Sequence, residues 1–290
     1  MRIVAISDIH SNLLALEAVL EDIERLGRDI QIVVAGDFLN CGPFPRETLA
    51  LLKALPDPII IAGNHEEYVL ENFEANKTGP RPAPYRALFA PSYWTASQLT
   101  DEQLNWLRSL PRQAELAGPE GTKVRIVHGS PRQQTEGLTP ELDDTTLEDI
   151  FDGEISDRCL WISGHTHRPH FLRWGGMTIT NNGSVGMSLD GDNRACYMVA
   201  EWDEKWGDWQ IEHRRVKYDV ERMIAATLAN ANYEQGGPFM RLMAYGLKHG
   251  QTCAITSFLD DYISIGGYPT PPDDFPHFAK AVEEHLAKYS

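Results

Sequence analysis

The stretch RIVAISDIHSNLLALEAVLEDIERLGRDIQIVVAGD, residues 2–37, decides the fold. Residues 2–7 read as a short apolar strand that runs into Ser7-Asp8. Over residues 12–26, Leu13, Leu16, Leu20 and Ile23 recur at helical spacing, and Gly27 stands where a helix commonly stops. Ile30–Ala35 is a second buried strand, ending on Gly36-Asp37. Strand, helix and strand in this order imply parallel pairing through a right-handed crossover. The pattern continues outward. Pro45 opens a second helix, at the position where proline costs least, and the helix runs to about Leu55. Ile59–Ala62 is a third strand, ending on Gly63-Asn64. Ligands of such sheets gather at the carboxyl ends of the strands. Polar residues stand at all three of those ends.

Beyond them, residues 76–84 form a Pro-rich loop, and helical segments follow to about Leu110. Trp94 and Trp106 fall among these segments and read as core. The next part is richer in strands: Lys123–Val127, Leu160–Ser163, His170–Trp174, Met177–Thr180, Cys196–Glu201 and Trp209–Arg214. Gly175-Gly176 reads as a hairpin turn, and Trp202–Trp209 contains a second hairpin connection. From Asp219 the pattern turns helical, over 219–231, 237–248 and 274–288. Gly236-Gly237-Pro238 and Gly266–Asp274 read as loops between these helices. The expected division is residues 1–218 as the main domain and 219–290 as a helical extension or cap packed on it. Roughly 70 residues are marginal for a core of their own.

Composition excludes several classes. The chain has 290 residues, 42% hydrophobic and 23% charged, which is ordinary globular usage and rules out disorder or a coiled coil as the main architecture. With 26 Lys+Arg against 42 Asp+Glu the net charge is −16, so no stable nucleic-acid binding is expected. Cys41, Cys159, Cys196 and Cys253 form no CxxC pair and read as reduced thiols. No stretch approaches the ~20 apolar residues of a membrane span, and residues 2–6 are too few for a signal-peptide core. A cytoplasmic protein with no membrane contact is the expectation; the oligomeric state is left open.

Five short motifs carry the chemistry: Asp8-Ile9-His10, Gly36-Asp37, Gly63-Asn64-His65-Glu66, His128-Gly129 and Gly164-His165-Thr166-His167. Each alone has a bland reading as a turn, a cap or a structural histidine. Together they place hard oxygen and borderline nitrogen donors at the strand ends of one α/β sheet. That set suits Mn, Fe, Zn, Co or Ni ions. Seven ligands are too many for one tetrahedral ion and suit two ions bridged by one carboxylate.

The ordered motifs resemble the calcineurin-like metallophosphoesterases over about residues 1–215. Residues 36–45 and Asn182-Gly183-Ser184-Val185-Gly186 resemble the small bacterial and archaeal phosphodiesterase branch, with Asn182 where proline is usual. The resemblance implies a four-layer α-β-β-α sandwich with the helical extension appended. It implies two divalent transition-metal ions: Asp8, His10 and His167 on the first, Asn64, His128 and His165 on the second, and Asp37 bridging. His65 is implied as the catalytic residue near the leaving-group oxygen. Glu66 is expected to orient a neighbouring histidine or to begin a helix. The implied function is a phosphodiesterase acting by attack of metal-activated hydroxide on phosphorus. A nucleotide hydrolase (dinucleoside polyphosphate or cyclic nucleotide) and a protein or small-molecule phosphomonoesterase are the alternatives, and a binding scaffold is a lesser one. The expected partner is a phosphate-ester or nucleotide small molecule. Asn40, Arg132 and Arg168 are candidate substrate contacts. His170, His213, His249 and His277 have no motif around them and read as structural or surface residues.

Overall fold

The structure is a computed structural model that describes residues 1–27, 29–78, 90–153, 155, 158–230, 232–250 and 275–289. The first half alternates as read: β1 (Arg2–Ile6), α1 (Leu13–Glu24), β2 (Gln31–Ala35), α2 (Pro45–Lys53) and β3 (Ile59–Ile61). Asn12 caps α1 by accepting from the Ala15 N–H, and Gly27 (φ 107°) follows its last turn. Helices α3 (Asn64–Thr78), α4 (Ala90–Gln98) and α5 (Asp101–Ser109) come next. Then follow β4 (Gln113–Ala117), β5 (Lys123–Val127), α6 (Asp144–Ile150), β6 (Leu160–Ser163), β7 (His170–Trp174), β8 (Met177–Asn181), β9 (Ala195–Asp203) and β10 (Asp208–Val216). The chain continues through α7 (Val220–Ala229), α8 (Asn232–His249) and α9 (Phe275–Leu286).

The strands form two five-stranded sheets, ordered β10-β9-β1-β2-β3 and β4-β5-β6-β8-β7. β1, β2 and β3 are parallel, as are β5, β6 and β8. Because side chains alternate across a strand, each sheet offers two faces. Ile3, Ala5, Val33 and Ala35 meet Val124, Ile126, Leu160 and Ile162 between the sheets. The alternate residues Val4, Ile6, Ile32 and Val34 pack outward with Leu16 and Val19 of α1 and Leu49 and Leu52 of α2. On the far side Val127, Trp161 and Ile179 pack with Leu147 and Ile150 of α6. Helix, sheet, sheet and helix are therefore the four layers. Strands buried on both faces read as continuous apolar runs, which explains why they were visible in the sequence.

Both hairpins form: Trp174 pairs with Met177 across Gly175-Gly176, and Asp203 with Asp208. Two elements are added to the expected set and two expectations are corrected. Gln113–Ala117 is a strand that the sequence reading passed over; its pattern alternates between exposed and half-buried residues, with no apolar run to mark it. Helix α6 was likewise not expected. Residues 76–78 close α3 instead of belonging to a loop; the rest of the expected Pro-rich loop, like Gly266–Asp274, lies outside the described residues. Gly236-Gly237-Pro238 lies inside α8, where buried Met240, Leu242, Met243 and Leu247 downstream show tertiary packing overriding local propensity. Trp106 packs against Phe38 beside the core, as expected. Cys41, Cys159 and Cys196 are buried free thiols, and Cys253 lies outside the described residues. No described helix is long and apolar enough to cross a membrane.

Asp22 ties α1 to the long antiparallel pair β9–β10. It accepts from the Tyr197 hydroxyl at 2.7 Å and from Arg214 Nε at 3.1 Å. Partial burial works against its charge, but these donors prevail and hold its carboxyl below the ordinary 3.8. Asp22→Asn is expected to cost about 1.5–3 kcal/mol, the range for hydrogen bonds to a charged group. A lowered carboxyl stabilises the fold above its ordinary pKa and ceases to do so as pH falls through the lowered value. Urea unfolding across a pH series should therefore show the difference between wild type and Asp22→Asn narrowing on acidification. A difference independent of pH would contradict the role.

Candidate metal centre

The turns after β1, β2, β3, β5 and β6 converge at one edge of the two sheets, and the motif residues sit in them or, for Asn64, His65 and Glu66, at the start of α3. Asp8, His10, Asp37, His165 and His167 all have φ between 49° and 68°. Non-glycine residues seldom adopt this left-handed region, and it collects at functional sites where the surroundings enforce it. Here the enforcement is visible. The Asp8 carbonyl accepts from the Gly186 N–H at 2.9 Å and from the Ser184 hydroxyl at 2.7 Å, while the Asp8 N–H donates to the Gly36 carbonyl at 3.1 Å. The His10 N–H donates to the Asp37 carbonyl at 3.0 Å. The His165 N–H reaches the Asp8 carboxylate at 3.1 Å.

Two triads result. One ligand atom each from Asp8, His10 and His167 lie within 4.8 Å of one another, and so do those of Asp37, His128 and His165. Asn64 adjoins the second triad, its Oδ1 being 3.1 Å from His165 Nδ1. Asp8 Oδ1 lies 3.2 Å from His167 Nε2 and 4.0 Å from His128 Nε2, so the triads are neighbours. All seven residues named from the sequence come together. Glycine permits the close approach. On Gly36 (φ 83°) a Cβ would stand 2.7 Å from both the Gly63 backbone and His128 Nδ1.

The histidine tautomers test whether this set fits cations. His128 Nδ1 donates to the Ala35 carbonyl at 2.7 Å, and His167 Nδ1 donates to the Met187 carbonyl at 2.6 Å. A carbonyl only accepts, so both protons are fixed on Nδ1 and both Nε2 atoms turn inward. There His128 Nε2 meets Asp37 Oδ2 at 3.0 Å, and His167 Nε2 meets Asp8 Oδ1 at 3.2 Å and His10 Nε2 at 3.2 Å. Lone pairs facing carboxylates require a proton or a metal ion between them. Burial opposes charging His128, but the Asp37 and Asp8 carboxylates overcome it and push the imidazole up to about 10. His167 is also raised, by Asp8 against burial. His10, lacking such a partner, is driven well below its ordinary value by burial and by the neighbouring His65 and His167. Burial and His128 take His165 down to about 4. Asp8 and Asp37 are held low by the imidazoles although burial pulls the other way. Two ionised carboxylates among inward-turned imidazole nitrogens fit divalent transition ions.

His65 lies beside the triads. Its ring stacks edge-on against His10 with centroids 4.6 Å apart, and its Nε2 is 3.9 Å from Asp37 Oδ2. Asn40, a candidate substrate contact, reaches His65: its Nδ2 lies 3.0 Å from His65 Nδ1 and 2.9 Å from Ser92 Oγ of α4. The Asn40 Oδ1 accepts from the Cys41 N–H at 2.9 Å, which fixes the orientation of the amide. His65 Nδ1 is thereby the acceptor, and the ring's proton sits on Nε2. Burial lowers His65, with Asp37 partly offsetting it.

Glu66 does more than the sequence suggested. It begins α3, but it orients backbone and no histidine. Fully buried, it accepts from the N–H groups of Asp37 at 2.8 Å, Gly63 at 2.9 Å and Leu39 at 2.9 Å. Burial and the charge of Asp37 push it up to about 7, against those hydrogen bonds. The Met187 carbonyl and Ser184 hydroxyl were also missed; only the Asn-Gly-Ser motif pointed toward them. Of the other candidates, Arg132 is paired with Glu136 (2.7 Å) and Asp149, and Arg168 is exposed on the turn after His167. His170 and His213 hold backbone carbonyls of Arg168 and Asn181, as structural histidines do.

Residues 1–205 match the family model of the calcineurin-like phosphoesterase superfamily domain. The chain belongs to that superfamily. It is accordingly a phosphoester hydrolase of a metal-dependent family. An uncharacterized protein of Methanocaldococcus jannaschii is 32% identical over 243 residues, covering 79% of this chain and 92% of that one. The crystal structure of a metallophosphoesterase from Sphaerobacter thermophilus has 31% identity and a TM-score of 0.64, covering 86% of this chain and all of the other (100%). A symmetrical bis(5′-nucleosyl)-tetraphosphatase of Salmonella arizonae is 30% identical over 148 residues, 50% of this chain and 46% of that enzyme.

Two outcomes follow from the geometry. Because a cation takes the place of the inward proton on His128, Mn²⁺ binding is expected to release protons and to weaken as pH falls. Calorimetry in buffers of different ionisation enthalpy reads the release directly; binding without proton release would contradict the inward proton on His128. Glu66→Ala strips three amides of their acceptor and is expected to cost at least about 2 kcal/mol. Its metal content by elemental analysis should fall as the Asp37 turn loosens, whereas full metal content would show the turn is held by other means.

Proposed function

We propose that the chain is a phosphodiesterase that works with two divalent transition-metal ions. The observation that carries this reading is the pair of adjacent triads with His65 on their wall, its Nε2 proton directed into the site. Asp8, His10 and His167 would hold one ion, and Asn64, His128 and His165 the other, with Asp37 between them. Bound there, such ions supply Lewis acidity: they neutralise phosphate charge and make a water nucleophilic near neutral pH. The protein's own groups do the rest. The carbonyl-pinned histidines and the Glu66-anchored turn keep the donors from reorganising, so the site is shaped before substrate arrives. His65, its tautomer set by Asn40, holds a proton at Nε2 for the departing alkoxide oxygen. The helical extension 219–290, as a cap, would touch this machinery through α4, which α8 contacts and whose Ser92 accepts from Asn40. The described cysteines, free and buried, fit a reducing cytoplasm.

The similarity to tetraphosphatases supports a second reading, a nucleotide hydrolase; release of nucleoside diphosphates from a dinucleoside tetraphosphate would establish it.

The test is hydrolysis of bis-(p-nitrophenyl) phosphate and p-nitrophenyl phosphate with Mn²⁺, Ni²⁺, Zn²⁺ or Mg²⁺. The diester is expected to be preferred. His65→Ala should lower kcat on it about 10²-fold or more while keeping its metal, the usual effect of removing a general acid. Unchanged kcat in His65→Ala, or silence with every metal, would overturn the reading.

A further inference from the structure

A polar cavity of about 310 Å³ adjoins the second triad. Asn64 belongs to both, and Tyr68, whose ring lies 5.3 Å from that of His65, forms part of the cavity wall. Arg112 and Arg132 line it and would ordinarily suggest a phosphate subsite. Both are already matched: Arg112 Nε lies 2.6 Å from Glu67, and Arg132 is paired with Glu136 and Asp149. Two cations facing three carboxylates give no net attraction for a further anion.

What the walls offer instead is uncharged hydrogen bonding. Gln113, Gln133 and Gln134 line the cavity together with Ser130 and Thr135. The amide nitrogens of the three glutamines are engaged on the Pro131 carbonyl, the Thr135 hydroxyl and the Ala62 carbonyl, respectively. Their amide oxygens have no protein partner among the described residues. The cavity therefore presents several acceptors, while its Ser130 hydroxyl is already given to Glu136. It suits a ligand rich in O–H or N–H donors and without charge. Its size lies at the lower end of ligand pockets, room for one sugar or one nucleoside.

Resting on the phosphoester reading above, we propose that this cavity is the subsite for the alcohol arm of the substrate, and that this arm is an uncharged, hydroxyl-rich group of the sugar or nucleoside class. The natural substrate is then a diester, or a monoester, of one such unit; a polyphosphate tail does not enter here. Arg112 and Arg132 act as neutral, ion-paired walls that hold the cavity's shape. Gln113 and Gln133 discriminate the arm.

The test compares thymidine 5′-(p-nitrophenyl phosphate) with bis-(p-nitrophenyl) phosphate, the second lacking any sugar. Wild type is expected to favour the thymidine ester in kcat/KM. Gln113→Leu with Gln133→Leu, both at exposed positions where folding is not at stake, should reduce that preference about tenfold, mainly through KM. Arg132→Gln should not switch the preference toward a substrate with an added phosphate. No preference in wild type, or a preference unchanged in the glutamine variants, would overturn the proposal. If neither ester is cleaved with any metal, the phosphodiesterase reading fails on its own, and the subsite is judged by saturation-transfer NMR with thymidine. Binding lost in the glutamine variants would uphold it, and no binding by wild type would overturn it.

Discussion

A single buried carboxylate joins the strand ends on which this site is built. Glu66 reaches from the first turn of α3 to the amides of Gly63, Asp37 and Leu39, so the turn after β2 and the turn after β3 are fastened to one side chain. Backbone amides buried without acceptors would be costly, and Glu66 supplies the acceptor for all three. Once Asp37 is fixed, the rest follows by short links. Its carbonyl receives the His10 N–H, its Oδ1 receives the His65 N–H at 2.8 Å, and its Oδ2 faces His128. A displacement of this turn would be felt in both triads and at His65 together.

The same economy of space explains the electrostatics. Two carboxylates and five imidazoles share a small buried region, and charges there are barely screened. The protein keeps the carboxylates ionised by aiming His128 and His167 at them, and it aims those rings by giving their Nδ1 protons to main-chain carbonyls. Left-handed backbone at Asp8, His10, Asp37, His165 and His167 is the geometric consequence of turning so many side chains toward one point. Such strain is tolerable because the glycines beside them let the turns close up and because each turn is hydrogen-bonded to another.

Much of this was legible in the sequence. The buried parallel strands announced themselves as apolar runs, since both of their faces are covered, and the donors announced themselves by following those runs. The exposed edge strand Gln113–Ala117 did not, because alternation without burial resembles any polar segment. Glu66 was legible as an acid at a helix start, but its hold on three backbone amides was not, nor was the hold of Asn40 on His65, because a motif gives residue types and spacing, while the atom each side chain reaches is settled only by the turn. The cavity beside Asn64 was invisible for a further reason. Its walls come from α3, β4 and the loop after β5, segments brought together only by the packing of the two sheets.

The proposed centre has two ions sharing this site with Asp37 between them. Anomalous diffraction from crystals grown with Mn²⁺ tests it most directly. Two peaks about 3.5–4 Å apart, one beside Asp8, His10 and His167 and the other beside Asn64, His128 and His165, with the Asp37 carboxylate touching both, are the predicted result. A single peak, or two peaks with Asp37 bound to only one, would contradict it.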